Sequence, residues 1–304
     1  MGNSNIKTVN LSKISTEGHN EHTAAIDSVS TLKLAKLINE QDEQITQAVK
    51  TQLPAIANGI RAIAACFRNG GRLVYIGAGT SGRLGVLDAS EMPPTFGVSN
   101  KLVIGLIAGG DQAIRNPIEG AEDDEAACVR DLKRIKLTKK DVLVGISASG
   151  RTPYVISGLK YANKLGCKTI SVATSSNSEI GEIAQIKIEA VTGPETIVGS
   201  TRMKSGTAQK MILNMLSTGA MIKIGKVYGN LMVDVQPTNQ KLIARAHSLV
   251  KKITNADDKQ IKKIMQTTHN QVKPAVVMIS KKVNYQDALK LLKVNNQDLR
   301  KIIG

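Results

Sequence analysis

Apolar residues recur at spacings of three and four over residues 26–37 and 45–67, the mark of amphipathic helices. Asn69, Gly70 and Gly71 then supply a stop. Beyond them the pattern changes to short apolar runs at 72–76, 101–107, 141–147 and 168–173, with a weaker one at 185–189. Short apolar runs that end in glycine or hydroxyl residues fit strands buried on both faces. Helical spacing returns over 119–135 and over 153–165, the latter ended by Gly166. Strands alternating with helices predict an α/β fold, a mostly parallel sheet with helices on both faces. A long helix is predicted over 202–225, with Met203, Ala208, Met211, Met215 and Gly219 along one side. Such a stripe suits a core or a helix–helix interface. After Pro237 the chain is Lys-rich and helical, with a break predicted at Lys273 and Pro274 and a small helical bundle over 285–303. The pattern therefore divides into an N-terminal helical segment (1–55), a main α/β domain (56–235) and a C-terminal helical region (236–304).

Composition narrows the class. With 41% hydrophobic and 22% charged residues, the 304-residue chain reads as soluble and globular. No apolar run approaches the roughly 18 residues of a membrane span, so no membrane partner is expected. The N-terminal residues 1–10 are polar, unlike a signal peptide, and Ile6 stands where a myristoylation signal begun by Gly2 would want Ser or Thr. A cytoplasmic location is expected. Three widely spaced cysteines, Cys66, Cys128 and Cys167, suggest neither a disulfide framework nor a zinc site, but small buried residues. The four histidines do not cluster with acids at ligand spacing, so no metal is expected. The net charge of +16 raises the question of nucleic acid, yet residues 241–304 alone hold 14 Lys or Arg against 4 Asp or Glu. The chain has no Trp and only seven Phe and Tyr together, too few for base-stacking platforms. No specific nucleic-acid partner is expected, and the basic tail reads as a solvated helical face.

Two loops carry the candidate chemistry. The first predicted strand runs into 77–83 (Gly-Ala-Gly-Thr-Ser-Gly-Arg), and the third into 147–153 (Ser-Ala-Ser-Gly-Arg-Thr-Pro). Each follows the carboxyl end of a strand and opens a helix, where unpaired N–H groups and the helix dipole attract an anion. Pro153 suits a first helical turn, where its missing N–H costs nothing. Gly77, Gly79 and Gly82 form a G-x-G-x-x-G, a weak dinucleotide fingerprint by itself. The ribose-binding acid such a site wants about 20 residues on is missing, because 93–100 contains none. The hydroxyls of Thr80 and Ser81, repeated at Ser147, Ser149 and Thr152, fit a phosphate monoester better. Candidate phosphate-binding residues are therefore Gly79, Thr80, Ser81, Gly82, Ser147, Ser149, Gly150 and Thr152.

These residues resemble the sugar isomerase (SIS) domain, a flavodoxin-like three-layer sandwich that binds sugar phosphates. The stretch 75–97, with 105–110, 119–124, 193–195, 199–210, 214–218 and 225–235, is similar to the N-acetylmuramic acid 6-phosphate etherase family, and the likeness extends over about residues 10–245. The resemblance implies removal of the D-lactyl ether from carbon 3 of the sugar phosphate, without metal or redox cofactor. It implies Glu91 as the acid that protonates departing lactate and Glu122 as the base at carbon 2, adds Ser200 to the phosphate-binding set, and implies a homodimer. On sequence, Glu91 falls in a Ser-Glu-Met-Pro-Pro turn just past a helix, where Met92 and Phe96 would desolvate it. The chain departs from the family at Met92, where Cys is expected, at His19, where Arg is usual, and at Glu21, where Pro is usual. A sugar phosphate isomerase or a sugar-phosphate-sensing regulator on the same fold stays open as an alternative.

Overall fold

The computed structural model describes residues 15–234 and 239–304. The N-terminal stretch with Gly2 and Ile6, the segment boundary at 235/236, and Pro237 lie outside the described residues.

Five parallel strands form the central sheet in the order β2-β1-β3-β4-β5: β1 Leu73–Gly77, β2 Val103–Ile107, β3 Val142–Ile146, β4 Lys168–Ala173 and β5 Ile186–Glu189. β1 and β3 are buried along their whole length, so both alternating sets of side chains enter a core. Leu73 and Tyr75 of β1 face a layer made by α1 (Thr31–Lys50), α2 (Leu53–Arg68), α3 (Gly79–Phe96) and α8 (Lys204–Lys223). Val74 and Ile76 face the opposite layer, made by α5 (Glu125–Arg134), α6 (Pro153–Lys164) and α7 (Glu179–Ile183), while the short α4 (Gln112–Arg115) packs on α3. Fully burying one such aliphatic side chain stabilises by roughly 1.5–3 kcal/mol. A two-stranded ribbon, β6 Val227–Tyr228 and β7 Leu231–Met232, follows α8.

Five helices complete the chain: α9 Gln240–Thr254, α10 Asp258–Thr267, α11 Val272–Lys281, α12 Tyr285–Val294 and α13 Leu299–Ile303. Side chains of Asn239, Asp257, Asn284 and Asp298 accept first-turn N–H bonds of α9, α10, α12 and α13. These helices enclose their own core around Val250, Met265, Val276 and Leu292.

Several boundaries differ from the sequence expectation. The first helix starts at Thr31, because the Ser30 hydroxyl accepts the Lys33 N–H, and it runs on to Lys50. Pro54 sits in the first turn of α2, so the expected segment boundary at 55/56 falls inside that helix. The helix expected over 119–135 is broken: Ala121–Asp123 form a 3-10 turn, and α5 begins only where Asp124 caps Ala127. Lys273 and Pro274 do not break the chain but lie in the first turn of α11, where a proline costs no hydrogen bond. The methionine stripe of α8 is only half-buried, and the face sunk in the core is Ala208, Ile212, Leu216 and Ala220. Because α1, α2 and α3 all pack on α8, its accessible residues are few, among them Thr207 and Lys210, the latter beside α3.

All three cysteines are buried free thiols. Burial pushes Cys66 and Cys167 up to about 11 and raises Cys128 as well. No described helix is long and apolar enough to cross a membrane.

Candidate functional site

The sheet order has one switch point, between β1 and β3, and the two hydroxyl-rich loops leave the sheet on either side of it. In open parallel sheets ligands bind at that position, outside the carboxyl ends of the strands. The glycines of the first loop answer to packing. A Cβ on Gly77 would lie 2.7 Å from the Gly82 nitrogen, and one on Gly82 would lie 2.7 Å from the Gly77 carbonyl oxygen. Only glycine at both positions lets α3 start this close to the end of β1. Gly79 is then the first residue of α3 and exposed, so its turn presents N–H groups to solvent.

The second loop is held from within. The Ser147 hydroxyl accepts the Gly150 N–H at 3.0 Å and pairs with the Thr152 hydroxyl at 2.8 Å. Ser149 accepts the Arg151 N–H at 3.3 Å. Gly150 adopts φ +72°, and a Cβ there would lie 2.2 Å from Ser178 Cβ, so the position excludes every other residue. Thr152 precedes Pro153, the first residue of α6.

Ser81 differs from the expectation for a phosphate ligand. It is buried, and its hydroxyl donates to Gln209 Oε1 of α8 at 2.9 Å. Thr80 lies against Gly206, close enough that a Cβ there would meet its methyl at 3.3 Å. The amino ends of α3 and α8 therefore stand side by side. Ser200 is half-buried in the turn leading into α8. Ser205 Oγ and Gln209 Nε2 are buried beside them with no protein hydrogen-bond partner. The α8 turn is capped by Glu195, fully buried, which accepts the N–H groups of Lys204 and Ser205 at 2.9 and 3.0 Å. The Lys204 ammonium, also buried, donates to the Pro194 carbonyl and to Gln41 and Gln44 of α1. Gln209, Glu195 and Lys204 escaped the motif reading, although all three lie in or beside the blocks that carry the family likeness.

A cavity of about 190 Å³ opens where the first loop meets the segment before α5, lined by Gly79, Arg83, Ala108, Ile118, Gly120 and Glu122 among others. Arg83 is fixed there by donating to the carbonyls of Ala113 and Ile114 at 2.8 and 2.9 Å. Gly120, at φ +72°, turns the chain into the 3-10 turn that carries Glu122. Although the residue as a whole is exposed, partial desolvation of its carboxyl, with like charge from Asp123 and Glu119, raises its pKa.

Glu91 does not join this cavity. It lies within α3 rather than in a turn after it, and it is exposed, while Met92 and Phe96 point into the core away from it. Twelve residues separate it from Gly79, about 18 Å at 1.5 Å per residue. It lines a second cavity, of about 290 Å³, with Leu84, Leu87, Asp88, Lys210 and Asn214. Asp88 behind it is buried and accepts from Tyr75 Oη at 2.8 Å, Asn214 Nδ2 at 2.8 Å and Ser217 Oγ at 3.1 Å. Burial raises the Asp88 pKa against these bonds.

Sheet order, switch point and paired hydroxyl loops define a domain of the sugar isomerase class. Residues 124–219 match the SIS domain, and residues 55–163 match the glucokinase regulatory protein N-terminal SIS domain. Over a longer span the chain is 58% identical to N-acetylmuramic acid 6-phosphate etherase of Clostridium botulinum, across 83% of this chain and 84% of the relative. It is 55% identical to the enzyme of the same name from Actinobacillus pleuropneumoniae, across 84% of each. The chain belongs to the N-acetylmuramic acid 6-phosphate etherase family. Among solved structures it is similar to a phosphoheptose isomerase from Francisella tularensis, with 19% identity and a TM-score of 0.47 over 64% of this chain and 98% of that one.

Proposed function

We propose that the protein cleaves the D-lactyl ether of N-acetylmuramic acid 6-phosphate, giving N-acetylglucosamine 6-phosphate and D-lactate with uptake of one water. Family membership supports the substrate. The observation that carries the chemistry is the cavity in which Glu122 stands next to the amino end of α3. The phosphate binds at the hydroxyl-rich loops, on backbone N–H groups of Gly79, Thr80 and Ser81 and on hydroxyls of Thr80, Ser149, Thr152 and Ser200, while Gly82, Gly150 and Ser147 shape the two turns through bonds of their own. Ser81 contributes through its N–H, since its hydroxyl is engaged with Gln209.

An ether oxygen is a poor leaving group, so the reaction proceeds by elimination. In the open-chain sugar the aldehyde acidifies the proton on carbon 2. The Glu122 carboxylate removes that proton, the electron pair becomes the carbon 2–carbon 3 double bond, and the bond from carbon 3 to the lactyl oxygen breaks. Glu91, the acid that the family likeness implies, supplies the proton that lactate takes away, although within one subunit it lines a separate cavity. Water then adds at carbon 3 and a proton returns to carbon 2. General acid–base help of this kind contributes typically about 10²–10⁴-fold for each group. A base whose pKa is raised towards the working pH is the stronger proton acceptor, which is the direction found for Glu122.

The protein works as a cytoplasmic homodimer in amino-sugar recycling, with the sugar-phosphate domain beginning at α2 and lying between the two helical segments. Incubation with the substrate in deuterated, ¹⁸O-labelled water tests the reading. Expected are D-lactate without label, and N-acetylglucosamine 6-phosphate with deuterium at carbon 2 and ¹⁸O at carbon 3. Absence of lactate, or aldose–ketose interconversion instead, would overturn it.

A further inference from the structure

We infer that the chain holds a second anion site, separate from the sugar-phosphate loops, which takes a short polyphosphate chain, either inorganic or carried on a nucleoside. The site does not depend on the etherase reading, and it gives a use to basic residues that the reaction leaves idle. A cavity of about 450 Å³ opens where the C-terminal helices meet the α/β domain. Arg68 ends α2, Lys223 ends α8, Lys293 stands in the last turn of α12 and Lys301 lies in α13, and all four line that cavity. Local backbone geometry forces the convergence. Gly225, just past α8, abuts the turn between α12 and α13, where a Cβ on it would lie 3.0 Å from Asp298 Cα. Within that turn Asn296 and Gln297 take φ +54° and +61°, and the Gln297 N–H closes it on the Leu292 carbonyl at 2.7 Å. The close approach brings the Lys223 end of α8 and both lysine-bearing helices to one opening.

These charges are not spent elsewhere. A cation in a last helical turn offsets the helix dipole, but among the described residues only Arg68 of the four donates to a carbonyl, that of Lys223. None of the four forms an ion pair among the described residues. Asp298, the one carboxylate lining the cavity, accepts the Arg300 N–H as the cap of α13. The lining therefore carries a surplus of +3. A sphere of that volume is about 9 Å across, close to the screening length of about 8 Å at physiological salt, so the cations repel one another across the opening until an anion enters. A phosphate monoester brings only about −1.5 to −2, and a chain of two or three phosphates matches the surplus better. Phe67 and Ile224, both half-buried, add an apolar floor beside the cations, a surface on which a base can stack.

Calorimetric titration of the full chain with sodium triphosphate and with ATP, without magnesium and at about 0.15 M salt, tests the proposal. One equivalent per chain should bind, and Lys223→Gln combined with Lys293→Gln should weaken it at least about 10-fold. Lys259→Gln combined with Lys263→Gln removes the same charge from two exposed lysines of α10 that do not line the cavity, and it should change the affinity less than about 2-fold, because salt screens distant charges. Phe67→Leu separates the two sources of the ligand. A loss for ATP but not for triphosphate assigns the site to a nucleotide, and unchanged affinity for both assigns it to the phosphate chain alone. Three results would overturn the proposal. Absence of binding by either probe leaves the four cations as helix-end charges only. Equal weakening by the two lysine pairs reduces the effect to non-specific attraction. Binding that survives Lys223→Gln with Lys293→Gln places the anion elsewhere, the sugar-phosphate loops included.

Discussion

Replacing Ser147 by alanine should loosen the second loop by an amount that its hydrogen bonds define. The Ser147 side chain is 3% exposed, and its hydroxyl serves two partners, the Gly150 N–H at 3.0 Å and the Thr152 hydroxyl at 2.8 Å. Deleting it leaves the buried Gly150 N–H without an acceptor, which costs about 1–3 kcal/mol. Thr152→Val keeps the shape and removes only the hydroxyl pair, about 0.5–1.5 kcal/mol. Both substitutions break the same bond, so the double variant should lose less than the sum, with a coupling energy of at least about 0.5 kcal/mol. Urea unfolding of the four proteins measures this cycle. If the loop must reorder before it holds phosphate, Ser147→Ala should also weaken N-acetylglucosamine 6-phosphate by up to about 5- to 150-fold in calorimetric titration. Additive stabilities together with unchanged sugar-phosphate affinity would refute the view that this hydroxyl pair organises the cradle.

Two further outcomes concern charge. The Asp141 side chain is 2% exposed and accepts from the Arg72 backbone and guanidinium and from the Thr138 N–H. Burial alone would raise its pKa, but those bonds outweigh it and hold the carboxyl below its ordinary value. Its contribution to stability is therefore present above the ordinary aspartate range and is lost as pH falls through the depressed folded value. Asp141→Asn should cost up to about 3–5 kcal/mol near neutral pH and flatten the acid limb of the stability profile; an unchanged limb would assign acid unfolding to other carboxylates. At the reaction centre, Glu122 must be ionised to act as base, so kcat/KM should fall as pH drops through its raised pKa. Asp123→Asn combined with Glu119→Gln removes the like charges that help raise it and should move that limb to lower pH, whereas an unmoved limb would leave desolvation as the sole cause.

Much of the fold was legible because its signals are local. The five strands appear at the five short apolar runs, and β4 matches residue for residue. Both anion loops were visible as short motifs, since their conformations depend on glycines within a few residues. Glu91 was misplaced for the opposite reason. Pro93 and Pro94 read locally as a turn, yet α3 continues through them to Phe96 and is closed by the Gly97 N–H donating to the Pro93 carbonyl. A proline inside a helix costs about 3 kcal/mol, and burial of Met92 and Phe96, 4% and 3% exposed, returns roughly 1.5–3 kcal/mol each.

By itself, then, the order of residues determined the strand–helix alternation, the loops at the switch point and the family to which the chain belongs, because each is written in spacings of a few residues. Only the tertiary structure decided that Ser81 turns to Gln209, that Lys204 and Glu195 are buried under the α8 turn, and that Glu91 and Glu122 line two separate cavities. Those facts depend on how far a helix carries a side chain and on which surface covers it, and no spacing along the chain records either.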